Sequence, residues 1–202
     1  MPYSLFKEPH HFLFRKRFAR SYLYIRRLRL ETDLSTIHRW VNLPYAHRYW
    51  QMQGSLHDLT RYLINQTAEC VTSSFIVCHG KYPIALFETY HVMQTELAAK
   101  YASEKEDYGI HLLMAPYVEL RSLKDKVDKI SEKVLVTILE MLFSNQSVKR
   151  VIAEPDINNI HAHRLAEKAG FEFQSVIELK DKTAKLYKIT KDQFLKPTTT
   201  NS

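Results

Sequence analysis

Between Tyr22 and Leu30 apolar and polar residues partly alternate (Tyr-Leu-Tyr-Ile-Arg-Arg-Leu-Arg-Leu), the period-two pattern of a half-exposed strand. The period then lengthens. Leu34, Ile37, Trp40 and Val41 recur at helical spacing, with Asp33 expected as the cap and Pro44 as the stop. Pro44 to Gly54, dense in aromatic and polar residues, reads as a loop. Ser55 with Asp58 resembles a capping box for a second helix with Leu56, Leu59, Tyr62 and Leu63 on its apolar face. Ser74 to Cys78 and Ile84 to His91 form an expected hairpin around His79-Gly80-Lys81-Tyr82-Pro83. Residues 92–107 read as an exposed connection, Tyr108 to Met114 as a strand closed by Pro116, and Val118 to Ser131 as a Lys- and Asp-rich stretch without clear structure. Val134, Leu135, Ile138, Leu139 and Leu142 mark an amphipathic helix. Val148, Val151 and Ile152 begin a buried strand that Pro155 stops, since proline cannot donate to a ladder. A helix follows, with Asn158 or Asn159 as cap, Ala162, Leu165, Ala166 and Ala169 on one face and Gly170 at the stop. Glu172 to Leu179 and Ala184 to Ile189 read as a second hairpin. Met1 to Phe18 is expected to be irregular and residues 196–202 a frayed tail.

A chain of 202 residues with 45% apolar content suits one domain with a real core. The expected division is an irregular basic arm over 1–20, a single α/β domain over 21–195 and a tail. No run of about 18 apolar residues is present, and no apolar leader with a cleavage site, so a cytoplasmic protein without a membrane partner is expected. Cys70 and Cys78 make neither a disulfide framework nor a metal site. The net charge of +7 raises the question of nucleic acid, but it is concentrated at one end: residues 1–30 carry Lys7, Arg15, Lys16, Arg17, Arg20, Arg26, Arg27 and Arg29 against Glu8 alone, and the remainder is neutral. With no nucleic-acid motif behind it, this charge reads as a solvated strand face.

The order of elements, strand, two helices, hairpin, strand, helix, strand, helix, hairpin, resembles the GNAT acyl-CoA-dependent N-acyltransferases. His161 to Phe171 is similar to that superfamily's fourth-helix motif, which ends Glu-Lys-x-Gly-Phe: Glu167, Lys168, Gly170 and Phe171 match, and Asn159 matches the Asn at the helix start near coenzyme A. A narrower resemblance covers roughly residues 25–190. Trp40, then Tyr49-Trp50, Phe87-Glu88-Thr89-Tyr90, Tyr108-Gly109-Ile110-His111-Leu112-Leu113 and Glu154-Pro155-Asp156 with Asn159 resemble the siderophore-biosynthesis acyltransferases, which acylate an N-hydroxylated lysine or diamine. The aminoglycoside 6′-N-acetyltransferases share much of this layout but typically carry Asp where this chain has His111.

The resemblance implies an α/β GNAT fold, a mixed central sheet with splayed parallel strands flanked by helices. It implies acyl-CoA, most simply acetyl-CoA, as co-substrate, a small amine or hydroxylamine as acceptor, no metal, and a monomer or homodimer. It assigns His111 as general base and Asp156 as the partner orienting the imidazole or the substrate nitrogen. Backbone N–H near Leu113 would polarise the thioester carbonyl, and Asn159 and Arg164 would stand near the cofactor. On the acceptor side it points to Tyr49, Trp50 and Gln53 in the loop between the first helices, and to Glu88 and Tyr90 on a central strand. One departure concerns the pyrophosphate. The superfamily uses a glycine-bearing loop whose backbone approaches the phosphates before a helix N-terminus. Here the matching glycines fall near Lys129 and Ser131, and the chain has none between Gly109 and Gly170. Ser131 is then expected as the helix cap, with Lys126, Lys129 and Lys133 supplying charge. The alternatives left open are an aminoglycoside or polyamine acetyltransferase, or a non-catalytic GNAT-like module.

Overall fold

A computed structural model describes residues 12–19, 21–69, 72–121 and 129–196. The chain divides into two compact units, one running to Tyr90 and resuming over His111–Ile138, the other comprising His91–Ile110 and the chain from Leu139.

The first unit opens with β1 (Phe14–Phe18) and β2 (Ser21–Arg27), antiparallel and in register from Phe14 opposite Ile25 to Phe18 opposite Ser21. Strand β1 occupies part of the stretch expected to be an irregular arm. Its alternation, Phe-Arg-Lys-Arg-Phe, is too short to separate from noise in sequence, and pairing with β2 decides it. The guanidiniums of Arg15 and Arg17 lie 5.0 and 5.9 Å from the centroid of the Tyr22 ring. Next come α1 (Leu30–Val41), α2 (Pro44–Trp50) and α3 (Leu56–Glu69). Asp33 does not cap α1, which begins one turn earlier behind Arg29. Its buried carboxylate instead accepts two bonds from Arg26, at 2.6 and 2.7 Å, and one from the Arg29 N–H at 2.8 Å. The stretch from Pro44 is a helix, not a loop. Proline at the first helical position loses no hydrogen bond, and Gln51, in the left-handed region at φ 49°, ends the helix just after Trp50. Ser55 caps α3 through its Oγ, which accepts from the Asp58 N–H at 3.1 Å.

Strands β3 (Thr72–His79) and β4 (Tyr82–His91) form the expected hairpin, with Gly80 at φ 58° in its turn. Strand β3 also pairs antiparallel with β2. Ile76 and Cys78 of β3, Leu86 of β4 and Leu113 all point to the same side, where Ile37, Trp40, Val41, Leu59 and Leu63 of the helices complete the core. On β3 and β4, Phe75 and Phe87 stack with centroids 4.9 Å apart. Short helix α4 (Tyr117–Arg121) falls where no structure was expected; its Glu119 accepts from the Arg39 guanidinium and from Trp40 Nε1. Helix α5 (Ile130–Ser144) begins in this unit.

Strand β5 (Asp107–Met114) belongs to the second unit up to Ile110 and to the first from His111. In the second unit it pairs parallel with β6 (Arg150–Ala153) over only Asp107–Gly109 opposite Arg150–Ile152. Strand β6 pairs antiparallel with β8 (Thr183–Thr190), which carries β7 (Glu172–Glu178) on its other side. Between His91 and β5 the connection is not merely exposed: two 3-10 turns, Val92–Gln94 and Glu96–Ala99, bury Val92 and Leu97. Helix α6 (Ile160–Lys168) is capped by Asn159, one of the two expected candidates, and its other end is a Schellman turn. Phe171 N–H reaches Ala166 O, and Gly170, at φ 91°, donates to Glu167 O. A last helix, α7 (Lys191–Leu195), was not foreseen, although Thr190 and Gln193 form a complete capping box.

Candidate active site

Side chains alternate along a strand, so His111 shares a face of β5 with Leu113, Glu88 and Tyr90 share one on β4 with Leu86, and Ser74 shares one on β3 with Ile76. Leu113, Leu86 and Ile76 are core residues. One step along each strand, the same face turns from apolar to polar. Ser74 stands directly opposite Glu88 in the β3–β4 register.

At this polar end Glu88 is only 1% exposed. A carboxylate taken out of water must be compensated. Tyr62, from α3, donates its hydroxyl to Glu88 Oε2 at 3.3 Å, and Ser74 donates its hydroxyl to Oε1 at 3.3 Å. Burial, and then the neighbouring Glu88 charge, push the Tyr62 hydroxyl above its ordinary pKa, so it stays protonated and remains a donor. His111 lies over this group with Nδ1 3.7 Å from Glu88 Oε2, at ion-pair distance and longer than a hydrogen bond. Its side chain is 41% exposed. The Tyr90 ring packs on the imidazole at 4.9 Å, and Trp50, the last residue of α2, meets it edge-on at 6.2 Å. The imidazole is thus walled by two aromatic rings, backed by a buried carboxylate and open to solvent. That arrangement suits a group that must accept a proton and hold the resulting charge.

The first unit also carries the turn expected to meet the pyrophosphate. Lys129 precedes α5 with φ 51°, in the left-handed region that favours glycine. The turn therefore keeps a glycine-like backbone although the glycine is gone. Ser131 lies within the first turn of α5, which starts at Ile130, and is not the residue preceding the helix. Lys133 Nζ sits 5.5 Å from the centroid of the Phe18 ring. Lys126 is outside the described residues. The Leu113 side chain is buried in the core, which leaves its backbone as the part able to serve a ligand.

Of the acceptor-side residues, Trp50 is brought to His111, while Tyr49, on α2, has the Arg48 guanidinium over its ring at 5.5 Å and Gln53 is exposed. Glu88 and Tyr90 are both buried, the latter 6% exposed. Tyr62 and Ser74 were missed by sequence reasoning. Strand parity could have found Ser74, as it puts Ser74, Glu88 and His111 on core-facing positions where a polar residue needs a partner.

Asp156 belongs to the second unit. Its Oδ1 accepts from the Asn158 N–H at 2.8 Å, and its backbone bridges that of Ala184. Asn159 Oδ1 accepts from Ala162 N–H at 3.2 Å as the cap of α6, and Arg164 is exposed on that helix. Among the described residues, no three His, Cys, Asp or Glu side chains gather as metal ligands, and no helix is long and apolar enough to cross a membrane.

Residues 29–179 match the model of the acetyltransferase (GNAT) domain. The chain belongs to the GNAT acetyltransferase family. It is an acetyltransferase. Among characterised relatives it is similar to the N-hydroxyputrescine acetyltransferase of Acinetobacter baumannii, 25% identical over 166 residues, which span 82% of this chain and 76% of that protein. It is also similar to the aminoglycoside N(6′)-acetyltransferase type 1 of Klebsiella pneumoniae, 24% identical over 173 residues and 83% of each chain. In fold it resembles the aminoglycoside acetyltransferase AAC(6′)-Ib solved with paromomycin and acetyl-CoA. That likeness has a TM-score of 0.76 at 23% identity, over 89% of this chain and 99% of that one.

Proposed function

We propose that this GNAT enzyme acetylates the hydroxylated nitrogen of an N-hydroxy-lysine or N-hydroxy-diamine, the hydroxamate-forming step of siderophore biosynthesis. The observation that carries the reading is His111, a half-exposed imidazole set on the buried carboxylate of Glu88. The similarity to an N-hydroxyputrescine acetyltransferase supports the acceptor class.

The acceptor chemistry agrees. An ordinary alkylammonium, with a pKa of about 10.4, is almost wholly protonated at pH 7 and must lose two protons on the way to an amide. An electron-withdrawing hydroxyl makes a hydroxylamine far less basic, so its nitrogen is already neutral and has one proton to lose. One imidazole suffices. The nitrogen attacks the thioester carbonyl, the C–N bond forms, His111 takes the N–H proton, and collapse of the tetrahedral adduct breaks the C–S bond. The coenzyme A thiolate leaves and is protonated in turn. Asp156 is assigned to the acceptor nitrogen, and Trp50, Tyr49 and Gln53 to the acceptor chain. The phosphates are assigned to the Lys129 turn with Lys126 and Lys133. In this reading the family resemblance supports a cofactor role for Asn159 and Arg164.

The test is a panel of acceptors assayed by release of free coenzyme A thiol: N6-hydroxylysine, N-hydroxyputrescine, their non-hydroxylated parents, spermidine and kanamycin. The expected result is a kcat/KM for the hydroxylated pair at least about 10²-fold above the rest, since a parent amine presents little neutral nucleophile at pH 7. Faster turnover of kanamycin or spermidine would overturn the acceptor assignment in favour of an aminoglycoside or polyamine.

A further inference from the structure

We infer that Glu88 is the positioning residue of the reaction: it fixes His111 with Nδ1 protonated and turned inward, so that Nε2 is the atom presented to the acceptor. The inference rests on the function proposed above and adds to it the group that sets the tautomer, the task the sequence had offered to Asp156.

A neutral imidazole carries one proton, and whichever nitrogen holds it cannot act as the base. Glu88 Oε2 stands 3.7 Å from Nδ1, and the His111 side chain is 41% exposed. A carboxylate on the Nδ1 side favours the proton there, and the same negative charge stabilises the imidazolium formed during attack. Glu88 in turn is held from two sides by groups that donate to it. Tyr62 reaches Oε2 from α3 and Ser74 reaches Oε1 from β3, both at 3.3 Å, and burial excludes competing water from the carboxylate. Groups that face the imidazole from the packed elements include Glu88 and Tyr90 of β4 and Trp50 of α2. Tyr62 of α3 lies one step behind, on the far side of the carboxylate. Of these, Glu88 is the negative charge. Tyr90 at 4.9 Å and Trp50 at 6.2 Å flank the imidazole whose tautomer the carboxylate selects.

The decisive experiment is a 15N NMR titration of the full-length protein, free of substrate, for the wild type and Glu88→Gln. His111→Ala identifies the resonances. In the wild type the neutral ring is expected as the Nδ1–H tautomer. In E88Q the tautomer ratio should move toward Nε2–H, and the His111 pKa should fall by about one unit or more, the scale of an opposite charge at this distance. The acid limb of kcat/KM for the hydroxylamine should fall by the same amount. Should E88Q not fold, Glu88→Asp keeps the charge but withdraws it by one methylene, and a smaller shift in the same direction is expected. An unchanged tautomer and pKa in whichever variant folds would overturn the positioning role, even with the hydroxylamine turned over as proposed. The reverse, a shifted tautomer without turnover of any hydroxylamine, would leave the Glu88–His111 coupling standing and reject the acceptor.

Discussion

Lys129 offers a test of how this chain manages without the glycine its family resemblance calls for. An L-residue in the left-handed region carries about 1–2 kcal/mol of strain that glycine escapes. Lys129 is held there at φ 51°. Replacing it with glycine removes that strain but adds unfolded-state entropy of about 0.5–1 kcal/mol. Lys129→Gly alone should therefore raise stability by only about 0.5 kcal/mol. The sharper comparison is with Lys129→Ala, which discards the same charge but keeps Cβ and with it the strain. We expect the glycine variant to be the more stable of the two by about 0.5–1 kcal/mol, about 1–4 °C in melting temperature for a chain of this size. The same pair separates backbone from charge in ligand binding. Both variants should show a shallower salt dependence of acetyl-CoA affinity than the wild type, since both lose a cation; in calorimetric titration the glycine variant should bind at least as tightly as the alanine variant. A glycine variant that melts below the alanine variant would refute the left-handed turn and, with it, the argument that this loop preserves the geometry of the missing glycine.

Asp33→Ala removes the acceptor of two Arg26 bonds and of the Arg29 N–H, leaving the Arg26 guanidinium its bond to Arg27 O. With Arg26 15% exposed, the cost should sit near the low end for a broken buried pair, about 3 kcal/mol, seen as a melting temperature about 6–12 °C lower. In the second unit, burial works to raise the Asp107 carboxyl, but Arg150, Tyr101 and the Glu104 N–H together hold it below its ordinary value. Its stabilisation is therefore complete above the unfolded pKa of about 4 and is lost as pH falls through the lower folded value. Wild-type stability should fall more steeply below pH 4 than that of Asp107→Asn, in denaturant titrations at a series of pH values; parallel curves would remove this group from acid unfolding. Asn159→Ala removes the α6 cap and should cost about 1 kcal/mol by the same melts.

Much of the architecture could be read from the chain because its signals are local and independent. Partial alternation found β2, strand runs around turn residues found the β3–β4 and β7–β8 hairpins, and the Asn158–Asn159 pair with Gly170 bracketed α6. The errors came where one residue type carries two meanings. Pro44 ends one helix but also starts the next, because the first position of a helix needs no N–H. Asp33 looks like a cap, yet a better partner, Arg26, is brought to it by β2. Among the candidate site residues, the resemblance singles out His111, whereas it gives no sign of the burial of Glu88. It depends on Tyr62 of α3 reaching across to the strand, a tertiary fact without a local pattern. Likewise no sequence rule puts a lysine in the left-handed region; only the fold of the turn before α5 does so.

The central claim is that His111 moves the proton of the acceptor. Its most direct test is calorimetry on wild type and His111→Ala, with acetyl-CoA titrated first and N6-hydroxylysine or N-hydroxyputrescine added to the same cell. We predict that both proteins bind acetyl-CoA with the same affinity, and that the heat of turnover in the variant falls by about 10²–10⁴-fold in rate. A variant that turns over the hydroxylamine at the wild-type rate would contradict the account.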